Sequence, residues 1–255
     1  MIEKSDNPAI EIENISKTFK NIHALNNVSL TVRQNEVFGL LGPNGSGKTT
    51  LLHILCTVMP PDTASSYDGH NRKCRIMGYD VFREQDKIRQ IIGYVPQQDP
   101  LYGDLSALDN LIYFSTPYSL GKDRQQKRIE ELLRMLGLYE RRNDLVRTFS
   151  GGMLKRISII CALVHRPSVL FFDEVTVGLD TSLRYEVWQL IRELSRESTI
   201  VVTTHYIPDA ETYCDRVALM LKGVILDIGS PKELIQRYPP AKSLEEVVLI
   251  LERRM

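Results

Sequence analysis

Gly42-Pro43-Asn44-Gly45-Ser46-Gly47-Lys48-Thr49 decides the fold. It fits the pattern GxxxxGK[ST] without deviation, and its surroundings are those the pattern requires. An apolar stretch at 37–41 runs into it, and a helix-like stretch from 48 to 58 leaves it, stopped by Pro60 and Pro61. Glycines at these positions let the backbone curl until successive N–H groups point inward at phosphate oxygens. The positive N-terminal end of the following helix faces the same anion. Lys48 then reaches the β- and γ-phosphates, and Thr49 places its hydroxyl on Mg²⁺.

Downstream, Val169-Leu170-Phe171-Phe172-Asp173-Glu174 is an apolar strand ending in two carboxylates. A strand with that ending is how phosphate-loop enzymes bring an acid beside the metal, so Asp173 is the candidate magnesium ligand. Glu174 is placed to orient and polarise the attacking water. Residues 10–15, 28–32, 75–81 and 91–95 read as strands, and 200–202 as a strand buried on both faces. Residues 62–74 (DTASSYDGHNRKC) are polar and turn-rich and read as a surface loop.

Between about 100 and 165 the pattern turns helical: Ile129, Leu132, Leu133 and Leu136 recur at helical spacing, as do Ile157, Ile160, Cys161 and Val164. Leu183, Val187, Leu190, Ile191 and Leu194 mark one face of another helix. Strands alternating with helices predict an α/β fold with a largely parallel sheet.

Composition limits the function classes. The 255 residues carry 32 basic and 32 acidic side chains, and a chain with no net charge does not hold nucleic acid by a surplus of cations. The four cysteines form no CxxC pair and read as free thiols of a reducing cytoplasm. No stretch approaches the ~20 apolar residues of a membrane-spanning helix, and the polar N-terminus does not read as a signal peptide, so any membrane role runs through a partner.

Phe149-Ser150-Gly151-Gly152-Met153, just ahead of a helix, brings in a family. Ser150 is suited to cap that helix while Gly151 and Gly152 leave N–H groups bare, which makes a second anion site. Here the sequence resembles the ATP-binding cassette ATPases, the nucleotide-binding subunits of ABC transporters, and is closest to the ABC-2 and drug-exporter type. Their signature is typically LSGGQ, with LSGGM forms in the exporter branch.

The resemblance covers about 10–234 and extends to other motifs in order. Gln97, in Gly93-Tyr94-Val95-Pro96-Gln97, matches the glutamine loop that senses Mg²⁺ and relays to the membrane partner. Gly178-Leu179-Asp180 matches the D-loop, and His205, in Val202-Thr203-Thr204-His205, the switch histidine at the γ-phosphate. Phe19, in Ser16-Lys17-Thr18-Phe19, falls where the family stacks an aromatic on adenine.

The resemblance implies a P-loop NTPase of the ABC ATPase fold: a RecA-like core sheet with a small antiparallel β-subdomain (about 8–97 and 166–234), an inserted helical subdomain (about 98–165) and a short C-terminal helix (240–255). It implies an ATPase using ATP and Mg²⁺. Glu174, His205 and Lys48 are its catalytic residues, and Thr49, Gln97 and Asp173 sit at the metal. Gly42, Pro43, Asn44, Gly45, Ser46, Gly47, Thr50, Ser150, Gly151, Gly152 and Asp180 join Phe19, Lys48, Thr49 and Gln97 around nucleotide.

The family packs two cassettes head to tail, so a homodimer is expected, with Ser150 and Gly152 of one chain covering the γ-phosphate on Lys48 of the other. A separate transmembrane subunit is expected as partner, on the cytoplasmic face of the membrane, with no nucleic acid. The alternative is a non-transport ABC ATPase of the iron–sulfur assembly type. Leu101, Tyr102 and Leu105 read either as partner surface or as local core. Met153 stands where the family has Gln, Val175 where it has Pro, the 63–74 loop is longer than usual, and little chain follows Gly229-Ser230-Pro231.

Overall fold

The computed structural model describes residues 8–62 and 72–254. The strands are β1 (Pro8–Phe19), β2 (Ile22–Arg33), β3 (Val37–Leu41), β4 (Lys73–Ile76), β5 (Tyr79–Asp80), β6 (Ile92–Val95), β7 (Val169–Asp173), β8 (Thr199–Thr204), β9 (Arg216–Leu221) and β10 (Val224–Gly229). The helices are α1 (Lys48–Leu55), α2 (Gln85–Ile91), α3 (Ala107–Ser115), α4 (Lys122–Met135), α5 (Gly151–Leu163), α6 (Thr181–Leu194), α7 (Ile207–Tyr213), α8 (Pro231–Arg237) and α9 (Leu244–Glu252).

Two sheets result. The larger has the order β10-β9-β3-β8-β7-β6, parallel except for the antiparallel edge strand β10. The smaller is antiparallel, with the order β2-β1-β4-β5. Every residue of β3, β7 and β8 is buried, because both faces of the large sheet are covered. Alternation along these strands shows which layer covers which face. Phe38, Leu40, Val169 and Phe171 pack with the small sheet, α1 and α2. Val37, Leu41, Leu170 and Phe172 pack with residues of α3 to α9. The α/β class expected from the alternating pattern is therefore the observed one.

Several boundaries moved. β1 and β2 form a hairpin of two 12-residue strands, much longer than the apolar cores at 10–15 and 28–32. Helix α1 stops at Leu55, ahead of the prolines. The single strand expected at 75–81 is a hairpin, because Met77 and Gly78 both take positive φ (50° and 83°), a turn that Met does not advertise. The loop expected at 62–74 gives way to β4 at Lys73, and Cys74 is fully buried; residues 63–71 lie outside the described residues. Leu101 is partly buried against the main core, while Tyr102 and Leu105 are exposed. Among the described residues, no helix is long and apolar enough to cross a membrane.

Candidate nucleotide site

The phosphate loop joins β3 to α1. Gly47 precedes the helix with φ 107°, and no side chain caps the first turn, which also carries no acidic residue. That leaves its N–H groups for an outside acceptor. A Cβ on Gly47 would lie 2.4 Å from the Ala24 carbonyl oxygen, and one on Gly42 would lie 2.1 Å from that of Met220. Only glycine fits at either place. The buried Ser46 hydroxyl has no hydrogen-bond partner among the described residues. A buried orphan polar atom beside unengaged amides is a cradle for an anion.

Lys48 is buried, and its ammonium donates to the carbonyls of Gly42 (2.8 Å) and Pro43 (3.0 Å). Burial pushes its pKa down, opposed chiefly by the Glu174 carboxylate, 3.5 Å away. Thr49 Oγ1 donates to Asp173 Oδ1 at 3.1 Å, joining the phosphate loop to the end of β7. A hydroxyl and a carboxylate are hard oxygen donors of the kind Mg²⁺ takes, so these two residues fit that ion.

Glu174 has φ 47°, left-handed backbone that costs a non-glycine residue roughly 1–2 kcal/mol. Its amide donates to Thr203 Oγ1 (3.0 Å) and to the Thr203 carbonyl (3.2 Å), which holds the bend. The carboxylate thereby sits between two groups: Oε1 is 3.5 Å from Lys48 Nζ and Oε2 is 3.3 Å from His205 Nδ1.

Phe19, Asn44, Gly45, Gly47, Lys48, Thr49, Thr50, Gln97 and Glu174 line one cleft of ≈ 560 Å³, together with Ile22, His23, Ala24 and Lys222. Gly42, Pro43 and Ser46 form the loop behind that wall, Asp173 lies behind Thr49, and His205 reaches the cleft through Glu174. Phe19 is 44% exposed at the end of β1, with the Lys17 ammonium 5.5 Å from its ring centroid.

Ser150, Gly151, Gly152 and Asp180 lie elsewhere, around a second cleft of ≈ 530 Å³ that shares no residue with the first. Ser150 caps α5 by accepting from the Met153 amide (3.4 Å), and Asp180 caps α6 by accepting from the Leu183 amide (3.0 Å). Among the described residues, apart from its chain neighbours and the backbone of its own helix turn, no atom lies within 4 Å of where a Gly151 Cβ would sit. Met153 packs on the core with its sulfur 3.3 Å from Arg141 Nη1. Val175 is buried, and the bend after Glu174 is closed by the Val177 amide donating to the Glu174 carbonyl (3.1 Å).

Two residues with a part in the site escaped sequence reading. Thr203 Oγ1 donates to Asp173 Oδ1 at 2.6 Å, and Tyr94 OH donates to Asp173 Oδ2 at 3.3 Å. A threonine directly after the apolar run 200–202 and ahead of His205 was the available signal, since parallel pairing sets Thr203 opposite Asp173.

Comparison with known proteins shows the family of the chain. The profile of the family described as "ABC transporter" matches residues 25–177, more than half of the chain. The linearmycin resistance ATP-binding protein LnrL of Bacillus subtilis is 36% identical over 229 residues, covering 89% of this chain and 71% of that protein. The doxorubicin resistance ATP-binding protein DrrA of Mycobacterium tuberculosis is 38% identical over 237 residues, covering 92% of this chain and 69% of that protein. A solved structure of the ATP-binding subunit of an ABC transporter superposes with a TM-score of 0.83 at 25% identity, covering 96% of this chain and 99% of that one.

Proposed function

The chain belongs to the ABC transporter family as an ATP-binding, ATP-hydrolysing subunit, and from that premise we propose that it powers a drug-exporter type transporter by closing into a dimer around ATP. One observation carries the chemistry. A single carboxylate, Glu174, bridges Lys48 and His205 beside the Thr49–Asp173 pair. In the hydrolysis of ATP to ADP and phosphate, Glu174 orients the water in line with the γ-phosphorus, and Lys48 and His205 stabilise the charge that spreads over the γ-phosphoryl oxygens. Thr49 and Asp173 would hold Mg²⁺, which when bound would supply neutralisation of phosphate charge. Gln97 faces the same cleft from the loop after β6.

The separation of the two clefts supports the dimer. The chain presents an anion cradle at Lys48 and a second helix N-terminus at Ser150 that does not face it. A second copy placed head to tail supplies the missing wall, and the γ-phosphate becomes the adhesive between two positive helix ends. Residues 98–165 are then the helical subdomain that carries the signature, and ADP, lacking the bridging charge, releases the mate.

The membrane-spanning subunit is a separate chain, at the cytoplasmic face of the membrane. Its seat is the apolar groove of ≈ 890 Å³ lined by Cys56, Val58, Tyr94, Pro100, Phe114 and Tyr118, among others. The exposed Tyr102 and Leu105 lie next along the chain. Both relatives named above are drug-resistance ATP-binding proteins, which supports an exporter over the non-transport alternative. Glu174→Gln tests the reading: it is expected to bind ATP, stall hydrolysis and elute as a dimer. Normal turnover in that variant removes Glu174 from its role.

A further inference from the structure

Lys155 is a lysine at 5% exposure, five positions beyond Ser150 on α5. Its ammonium donates to Asp99 Oδ1 at 2.8 Å and to the Gln97 carbonyl oxygen at 3.3 Å. One side chain thus runs from the helix that begins at the Ser150 corner to the loop whose Gln97 lines the nucleotide cleft. Backbone bonds strap the same two segments together further along. The Arg147 amide donates to the Gly103 carbonyl (3.0 Å), that of Val146 to Leu105 (3.0 Å), and that of Ala107 to Asp144 (3.1 Å). Arg147 also pairs with Asp104 at 2.9 Å, but with both side chains exposed that pair is held weakly. The Lys155–Asp99 pair, at 6% and 20% side-chain exposure, is different. A charge taken that far from water is bound to its partners, so displacing the loop without the helix strands an ammonium.

We propose that Lys155 is a positioning residue that makes the Gln97 loop and the Ser150 corner of one chain move together. Nucleotide in a chain's own cleft, met by Gln97, thereby sets how the same chain's Ser150 corner receives the nucleotide held by its mate. This rests on the dimeric reading above. Linkage makes the effect reciprocal, so the two sites of the dimer bind ATP cooperatively through two copies of the Lys155–Asp99 tie.

The test removes both charges at once, Lys155→Met with Asp99→Asn, because deleting one partner alone leaves the other buried and unpaired. ATP binding to the monomer, read with a fluorescent nucleotide, is expected to stay within about twofold, since neither residue lines the cleft. In the Glu174→Gln background the ATP concentration for half-dimerisation rises roughly tenfold, and the Hill coefficient of the otherwise wild-type ATPase falls toward one. Hydrogen exchange supplies a second readout. ATP protects the amides at 151–154 in the parent chain and no longer does so in the paired variant under monomeric conditions. A Hill coefficient already at one in the parent, or one unchanged in the folded double variant, overturns the proposal. If Glu174→Gln forms no dimer at saturating ATP, the dimeric reading itself has failed, a result distinct from a dimer that forms equally well with and without the tie.

Discussion

Gly151 and Gly152 are adjacent, yet the structure predicts opposite consequences when each is changed to alanine. At Gly151 an added methyl meets none of the described residues within 4 Å beyond its chain neighbours and the backbone of its own helix turn. The residue begins α5, where alanine is preferred over glycine by up to roughly 0.5–1 kcal/mol, so the folded monomer should be unharmed or slightly stabilised. For a chain of this size that corresponds to a melting temperature unchanged or raised by up to about 2–4 °C. The open space is where the mate's γ-phosphate is expected, within about 3 Å of the helix amides. A methyl there holds the anion off a donor, and losing one such donor in a closed site costs about 2.7–4 kcal/mol, or ~10²–10³ in kcat.

At Gly152 the methyl lies 2.9 Å from Leu183 Cδ2 inside the chain, so the monomer repacks. Overpacking of this kind costs about 1–3 kcal/mol, and the melting temperature falls. The assays are thermal unfolding, ATP binding to the monomer, ATPase rate and dimer elution in the Glu174→Gln background. Gly151→Ala should melt normally, bind ATP normally and fail in the last two. A Gly151→Ala variant that is destabilised by more than about 1 kcal/mol, or that turns over at the parent rate, refutes the assignment of that cleft.

Three more outcomes are expected. Thr203→Val removes the shortest hydrogen bond to Asp173 and one to the Glu174 amide, at nearly constant volume. It should cost about 1–3 kcal/mol of stability and lower Mg²⁺-dependent turnover roughly tenfold, with ATP affinity in EDTA unchanged. His165 stacks on Tyr118 at 3.6 Å with Nε2 2.7 Å from the Ile92 carbonyl and Nδ1 unpartnered among the described residues, and burial holds its pKa below the ordinary 6.5. The unfolded chain therefore takes up the proton first. Stability should be full above about pH 7 and fall as pH drops through 6.5, levelling once the folded form also protonates; denaturant midpoints in His165→Phe should lose that slope. Burial pushes the Cys74 and Cys161 thiols up to about 12 and those of Cys56 and Cys214 higher, so a thiol reagent at pH 8 should label the native protein slowly and the unfolded protein at once.

What could be read from the sequence was local. Gly42 to Thr49 announced itself because the chemistry of the turn lies in consecutive residues, and β7 and β8 because strands buried on both faces carry compact apolar runs, here 169–172 and 200–202. The β4–β5 and β9–β10 hairpins went unread for one shared reason. Their two-residue turns are Met77-Gly78 and Lys222-Gly223, with positive φ at both positions and no Asn or Asp to mark the first. Helix α2, short and with one buried residue, carried no periodic stripe. At the site, the residues that carry motifs were legible, whereas Thr203, Tyr94 and Lys155 act through neighbours 29 or more positions away in the chain. Strand order brings Thr203 and Tyr94 to Asp173, and the packing of α5 on the loop after β6 brings Lys155 to Asp99.

The account stands or falls on where Ser150 lies when ATP is bound and cannot be hydrolysed. A cryo-EM or crystal structure of Glu174→Gln with ATP and Mg²⁺ measures that directly. The account predicts Ser150 and Gly152 of one chain within hydrogen-bond reach of the γ-phosphate held by the partner's Lys48, twice over in a two-fold assembly. A saturated, uncleaved complex in which every Ser150 is remote from every other copy's Lys48 contradicts it.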